Sequence, residues 1–377
     1  MDGLYALGSN GSGQLGLGHK EDVSVPKLVL FSQAPRDDPI TQVAAGGNHT
    51  ILITASGKAY WSGDPTSGCC GIIATENKGP DVSPMFRELR LSASADMMGP
   101  VVYAACTWDS TILVLGDEKQ QATRVYTCGA TEDGAGKSAQ PEGIPMLIPD
   151  FPPAGTVVTG LAAGFRHVVA VLNNGDVYGW GNGRKGQLGD LDDAAVNGSR
   201  GVVIKPQKIT GIPFQVAKAA CCQYTTCLIA EPGDGRIMVL GADKWGLKSQ
   251  APSEIPSWKT LTASWGGMYI AKRDGMLVFW GRDDHGQLPP PGLPEVCYIT
   301  AGSEHVVALT EAGEVLAWGW GEHGNCGPRT DEKFGDVKGR WNVLASLKNL
   351  PEGSSIIAVG AGCATSWINI KTDGIFL

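Results

Sequence analysis

A small-residue anchor followed by an apolar run recurs seven times along this chain, and few folds accommodate that. The copies read Ala45-Gly46-Gly47-Asn48-His49-Thr50, Ala105-Cys106-Thr107-Trp108-Asp109-Ser110 and Ala163-Gly164-Phe165-Arg166-His167-Val168. They continue as Ala220-Cys221-Cys222-Gln223-Tyr224-Thr225, Ala263-Ser264-Trp265-Gly266, Ala301-Gly302-Ser303-Glu304-His305-Val306 and Ala361-Gly362-Cys363-Ala364-Thr365. A second unit alternates with the first: a Gly-started strand, a Trp-Gly or similar pair, then a Gly-rich turn. Its clearest copies run from Gly175 to Gly189, Gly275 to Leu288 and Gly313 to Gly327. Weaker ones start at Gly57, Arg124 and Gly235, and the seventh opens the chain, Gly3 to Gly18.

Anchors are spaced by 60, 58, 57, 43, 38 and 60 residues. A four-stranded propeller blade takes about 40 to 50 residues, so the surplus is loop. The chain begins with the second unit and ends with the first, so its two ends can complete one blade and remove the open sheet edges of an unclosed array. The expected fold is therefore all-β: one seven-bladed β-propeller over residues 1–377, with the N- and C-terminal segments closing one blade. Innermost strands converge on an axis, and the small residues Gly46, Cys106, Gly164, Cys221, Ser264, Gly302 and Gly362 are expected where they crowd. Stretches 75–100, 131–153, 190–206 and 328–351 read as surface-loop insertions, and loops that long are uncommon unless they do something.

Composition agrees: 53 Gly and 11 Trp, with 18% charged residues, suit short strands and tight turns. A net charge of −8, with no basic tail, argues against binding nucleic acid by neutralising phosphates. No apolar run reaches the ~18 residues a membrane helix needs. The sequence opens on strand-like residues without a leader pattern, which predicts a soluble intracellular protein.

The ten Cys contain no C-x-x-C pair; Cys69-Cys70 and Cys221-Cys222 are adjacent, and free buried thiols are expected. His49, His167 and His305 occupy one slot in three different repeats, so ring geometry keeps them apart. A strand-to-loop hydrogen bond explains them better than a metal site. No G-x-S-x-G, H-E-x-x-H or P-loop lysine occurs, and the G-x-G-x-x-G look-alikes are repeat turns. Asp283-Asp284-His285 and Glu322-His323 pair carboxylates with His, but in solvated turns. Neither a catalytic residue nor a cofactor or metal site is expected.

Departures from the chain's own repeat are more informative. The turn usually ends Gly-Gln-Leu (13–15, 186–188, 286–288), but the copy starting at Gly313 ends Gly324-Asn325-Cys326. It also carries Trp320 where other copies have Ser9, Asn182 and Arg282. Residues a fold does not require are candidates for binding, and Trp is a common interface anchor. The closing anchor departs too, with Thr365 in the His slot and Trp367 after it. The candidate partner-binding residues are thus Trp320, Glu322, His323, Asn325, Cys326 and Trp367.

AAGxxH before an apolar strand, then GxVxxWGxxxxGQLG, resembles the repeat of the regulator-of-chromosome-condensation propellers. Within that family, three strings look most like its Elongator-linked fungal members, described through killer-toxin insensitivity and suppression of α-tubulin defects: WGWGEHGNCGP (318–328), GCATSW (362–367) and YALGSNGSGQLGLGHKED (5–22). That resemblance implies a non-catalytic protein, cytoplasmic with the nucleus as a second location. It would pair with the small metal-binding diphthamide biosynthesis protein as a heterodimer and support Elongator-dependent modification of tRNA wobble uridines and diphthamide formation on elongation factor two. The family's namesake implies the competing expectation, guanine-nucleotide exchange on a small GTPase.

Overall fold

Alternating anchors and Gly-started strands fold into seven antiparallel sheets arranged as a seven-bladed β-propeller, seen in a computed structural model that describes residues 3–71, 83–90, 99–129, 144–190, 201–328 and 335–372. From the axis outward, blade 1 is Ile40–Ala45, His49–Thr54, Ala59–Gly63 and Arg87–Glu88; blade 2 is Val101–Cys106, Ser110–Gly116, Ala122–Gly129 and Met146–Leu147. Blade 3 is Val158–Ala163, His167–Leu172, Val177–Asn182 and Val202–Lys208. Blades 4 and 5 have three strands each: Val216–Cys221, Thr225–Ala230 and Ile237–Gly241, then Trp258–Ala263, Gly267–Lys272 and Leu277–Gly281. Blade 6 is Val296–Ala301, His305–Thr310, Glu314–Gly319 and Val337–Ser346.

Blade 7 takes Ser354–Ala361 and Thr365–Thr372 from the C-terminal end, and Gly3–Gly8 and Val23–Leu28 from the N-terminal end. Gly3–Gly8 lies antiparallel to Thr365–Thr372, with Gly3 opposite Ile370 and Gly8 opposite Thr365. The ends of the chain close the ring as the repeat order implies. First strands of consecutive blades contact each other around the axis. Between them lies a central cavity of about 640 Å³, in whose lining Lys218 is the one charged residue among the described residues. Trp108, Phe165 and Trp265, from the anchor turns of blades 2, 3 and 5, meet at one end of it with ring centroids 5.4 to 5.9 Å apart.

Two sequence expectations need correction. The stretches read as loop insertions also supply outermost strands: Arg87–Glu88, Met146–Leu147, Val202–Lys208 and Val337–Ser346. Edge strands bury one side poorly, so their pattern is weak: Val337–Ser346 has two buried residues in ten. Within those stretches, residues 75–82, 91–98, 131–143, 191–200 and 329–334 lie outside the described residues.

The second correction concerns the crowded slot. In every blade its N–H donates to the carbonyl of the residue three positions on, at 2.8 to 3.0 Å, and this pairs Gly46, Thr107, Gly164, Cys222, Ser264, Gly302 and Gly362. Blades 2 and 4 therefore use Thr107 and Cys222; Cys106 and Cys221 each sit one residue earlier, at the end of the first strand. The chemistry explains which residue fits. A Cβ on Gly164 would lie 2.3 Å from the His167 ring and 2.4 Å from the Cys222 carbonyl. Where the second strand opens with Ser110, Thr225 or Gly267 instead of His, space remains for Thr, Cys or Ser. Seven further glycines stand last or, for Gly181, next to last in the third strands, and all have left-handed φ: Gly8, Gly63, Gly129, Gly181, Gly241, Gly281 and Gly319.

The recurrent His joins blades. Nε2 of His49 lies 2.9 Å from Thr111 Oγ1, that of His167 3.0 Å from Thr226 Oγ1, and that of His305 2.9 Å from Ser366 Oγ, each in the next blade. Thr226 and Ser366 donate back to the main-chain carbonyls of Gln187 and Asn325, at 2.7 Å. A hydroxyl has one proton, so it accepts from Nε2–H, and this fixes the tautomer. The bond is thus a cross-blade staple between strands, not the expected strand-to-loop bond.

Candidate functional site

In blades 3, 5 and 7 the turn after the third strand is built by one device. Its Gln carbonyl oxygen Oε1 accepts the N–H two residues back: Ser12 to Gln14 at 2.9 Å, Lys185 to Gln187 at 2.9 Å, His285 to Gln287 at 3.0 Å. Its Nε2 then reaches a polar side chain near the start of the turn, Ser9 or Asn182, at 3.4 and 3.5 Å. Blade 6 has Trp320 at that starting position, and an indole offers nothing to accept. Asn325, one methylene shorter than Gln, donates instead to the Trp320 main-chain carbonyl at 2.7 Å, and the Cys326 thiol donates to the same oxygen. Trp320 and Asn325 are therefore one coupled change. Asn325 Oδ1 is left buried without a partner.

This settles where the sequence candidates lie. Asn325 and Cys326 are 0% and 1% exposed, and Trp367 is 0% exposed, edge-on to Phe86 with its Nε1 donating to Thr365 Oγ1. Asn325 and Cys326 support the turn from the interior, while Trp367 lies in the core shared by blades 7 and 1; burial also raises the Cys326 thiol well above the ordinary range. Glu322 is exposed, while Trp320 and His323 are half-buried on the turn face, their rings 5.3 Å apart and edge-to-face.

Two residues missed at the sequence level complete the patch. His323 Nδ1 lies 2.7 Å from Asp22 Oδ2, and Asp22 Oδ1 accepts the Asn10 N–H at 2.7 Å. Buried Asn10 organises the whole opening turn: its Oδ1 accepts from Leu15 N–H at 3.0 Å, and its Nδ2 donates to the carbonyls of His19 and Glu21 at 2.8 and 3.2 Å. The Ser9 N–H donates to the Ala364 carbonyl at 2.8 Å. Segments 5–22, 318–328 and 362–367 thus meet at the junction of blades 6 and 7. The signal available was an Asn where other turns carry Gly183 and Gly321.

Neither carboxylate–His pair noted in the sequence forms a local dyad. His285 Nδ1 contacts Asp336 Oδ2 of blade 6 at 2.9 Å, at the slot where His323 reaches blade 7. Asp284 is held by Arg282 at 2.6 and 2.8 Å; burial works against its charge, but Arg282 and Gln287 bring its pKa down to about 2. Both groups clip turns together. Among the described residues no cluster of three or more His, Cys, Asp or Glu could hold a metal ion.

A model of the RCC1-like domain matches residues 3–368. The chain belongs to that family. An RCC1 repeat-containing protein of Schizosaccharomyces pombe is 30% identical over 98% of this chain and 99% of its own length. The secretion-regulating guanine nucleotide exchange factor of Mus musculus is 30% identical over 96% of this chain and 82% of its own. Among solved structures, Prp20p from Saccharomyces cerevisiae superposes with a TM-score of 0.78 over 99% of this chain and 92% of that one, at 20% identity. That likeness shows the shared RCC1-like fold.

Proposed function

We propose that this RCC1-like propeller is a non-catalytic binding platform whose turn face, at the junction of blades 6 and 7, receives the small metal-binding diphthamide biosynthesis protein. In that heterodimer it would support Elongator-dependent wobble-uridine modification and diphthamide formation on elongation factor two. One observation carries the reading: the three strings that resemble the Elongator-linked members, far apart in sequence, converge at one junction, two of them surfacing around Trp320, Glu322, His323 and Asp22 and the third, 362–367, packed beneath them. A half-buried Trp ringed by polar groups suits the centre of an interface. An ordinary interface takes about 20 to 30 residues a side, so this patch is its core.

Titration calorimetry of Trp320→Ala against the purified small diphthamide protein tests this. Truncating a central Trp costs about 2 kcal/mol or more, roughly a thirtyfold loss of affinity. Wild-type affinity in the variant would remove the site from this junction. Failure of the unaltered protein to bind would remove the partner.

The mouse exchange factor's similarity over 96% of this chain favours a second reading, nucleotide exchange on a small GTPase. Release of a fluorescent guanine nucleotide from loaded GTPases, accelerated by this protein, would support it in place of the first.

A further inference from the structure

Blade 5 is built differently from its neighbours. In five blades an outer strand or its continuation returns a hydrogen bond to the third strand or its start: Leu89 to Ala59, Ile148 to Val125, Ile209 to Val177, Leu347 to Gly313 and, in blade 7, Val29 to Leu4. Blade 4 lacks a fourth strand, but residues 253–255 cover its edge, with Ile237 N–H donating to Ser253 and Ile255 N–H to Gly235. Blade 5 has neither. The turn after Leu277–Gly281 runs to Leu288, and the first strand of blade 6 begins at Val296. The return is Pro289-Pro290-Pro291-Gly292-Leu293-Pro294-Glu295, in which four prolines have no N–H to donate.

The third strand's outer edge is therefore open. Lys272 N–H donates to Met276 O, and antiparallel alternation then directs the N–H and C=O of Leu277 and Phe279 away from the sheet. Among the described residues nothing hydrogen-bonds to them. Phe279 is 39% and Met276 60% exposed. Between this edge and the proline return lies a groove of about 440 Å³, with Leu277 and Phe279 on one side and Pro289, Pro291 and Leu293 on the other. Asp274 and Glu295 stand at its rim, both exposed. Asp274 is paired with Lys272 at 2.9 Å, so Glu295 carries the rim's uncompensated negative charge, on a chain of net charge −8.

We propose that the open edge of blade 5 accepts an extended segment of a partner protein as its missing fourth strand, apolar residues entering the groove and alternate basic residues meeting Asp274 and Glu295. Main-chain pairing supplies the affinity of such strand addition and the alternate pockets its selectivity. The edge lies on the outer rim of blade 5, apart from the blade 6–7 junction, so the two sites are independent.

The probe is a fluorescein-labelled peptide alternating valine and lysine, titrated into the full-length protein and read by anisotropy. Saturable binding is expected, together with slowed hydrogen exchange at the Leu277 and Phe279 amides. Phe279→Pro removes one outward N–H while sparing the ladder to Gly267–Lys272, and should weaken binding about tenfold or more, an energy near 1.4 kcal/mol. Methylating the valine amides of the peptide tests the same bonds without altering the protein. Equal binding of the methylated peptide would mean attraction by charge alone and would overturn the proposal, as would absence of saturable binding. A concentration-dependent dimer abolished by Phe279→Pro would assign the edge to a second copy of this chain and overturn it too.

Discussion

Burial without charge gives His167 and His305 their pH behaviour. Each ring is fully enclosed, its Nε2–H stapled to the next blade, and burial pushes its pKa down to about 4 from an ordinary value near 6.5. The unfolded chain therefore takes up protons that the folded one refuses. The stabilisation is complete above about pH 6.5 and is lost as pH falls toward 4, by roughly 3 kcal/mol for each His. Urea unfolding at pH 7, 6 and 5 should show that decline. The double variant H167Q/H305Q, which keeps a donor for Thr226 and Ser366 but cannot titrate, should flatten it; an unchanged slope would assign the decline to other groups. The glycine beside each ring has no room to change. A Cβ on Gly302 would stand 2.3 Å from the Gly362 carbonyl and 2.4 Å from His305, so Gly302→Ala should destabilise by about 2 kcal/mol or more, read from the same urea curves. The anchors were legible in the sequence because this crowding recurs in each blade. The exact slot was not legible in blades 2 and 4, where Thr107 and Cys222 replace glycine and the neighbouring Cys106 and Cys221 are equally small.

The turn of blade 6 can be rebuilt as a standard repeat turn. Trp320 cannot accept what Gln187 gives Asn182 in blade 3, and blade 6 answers with Asn325 where blade 5, with Arg282 at that position, keeps Gln287 and turns its Nε2 to Asp284 and Glu304. Trp320→Asn with Asn325→Gln should restore the ordinary bonding, satisfy the acceptor now orphaned at Asn325 Oδ1, and leave the melting temperature unchanged or slightly raised. On the proposed function the same double variant loses the diphthamide partner by about tenfold or more, so melting and calorimetry together separate support from contact. Asn325→Gln alone should destabilise, since the longer side chain meets Trp320 without an acceptor. The sequence exposed this turn by its departure from the repeat, but it could not divide the departing residues into those that face solvent and those that hold them up. Asp22 escaped because its role depends on which turn of another blade lies alongside. Outermost strands escaped for a related reason: with one side in solvent, Val202–Lys208 and Val337–Ser346 carry little of the apolar alternation that marks a strand.

Closure of the ring sets the stability of the whole molecule, and the N-terminal segment bears much of it. Gly3–Gly8 is the third strand of blade 7, paired on one side with Thr365–Thr372 and on the other with Val23–Leu28. Leu4, Leu7, Leu15 and Leu17 are all buried, and Leu4, Leu15 and Leu17 form one core cluster with Phe86 of the blade 1 region and Trp367. Burial of a leucine contributes about 2 kcal/mol, so removing four forfeits roughly 8 kcal/mol before any backbone bond is counted. A domain's net stability is about 5 to 15 kcal/mol. Deleting residues 1–18 would also leave Thr365–Thr372, the second strand from the axis, as an open edge and strand Val23–Leu28 without a partner. The truncated chain should therefore lose its cooperative melting transition and its near-ultraviolet circular dichroism, and elute as aggregate in gel filtration. Each blade packs on two neighbours, so a gap at blade 7 frees blades 1 and 6 as well, and the loss cannot stay local. A truncated protein that melts as the intact one does would show that the ring holds without its closing strand.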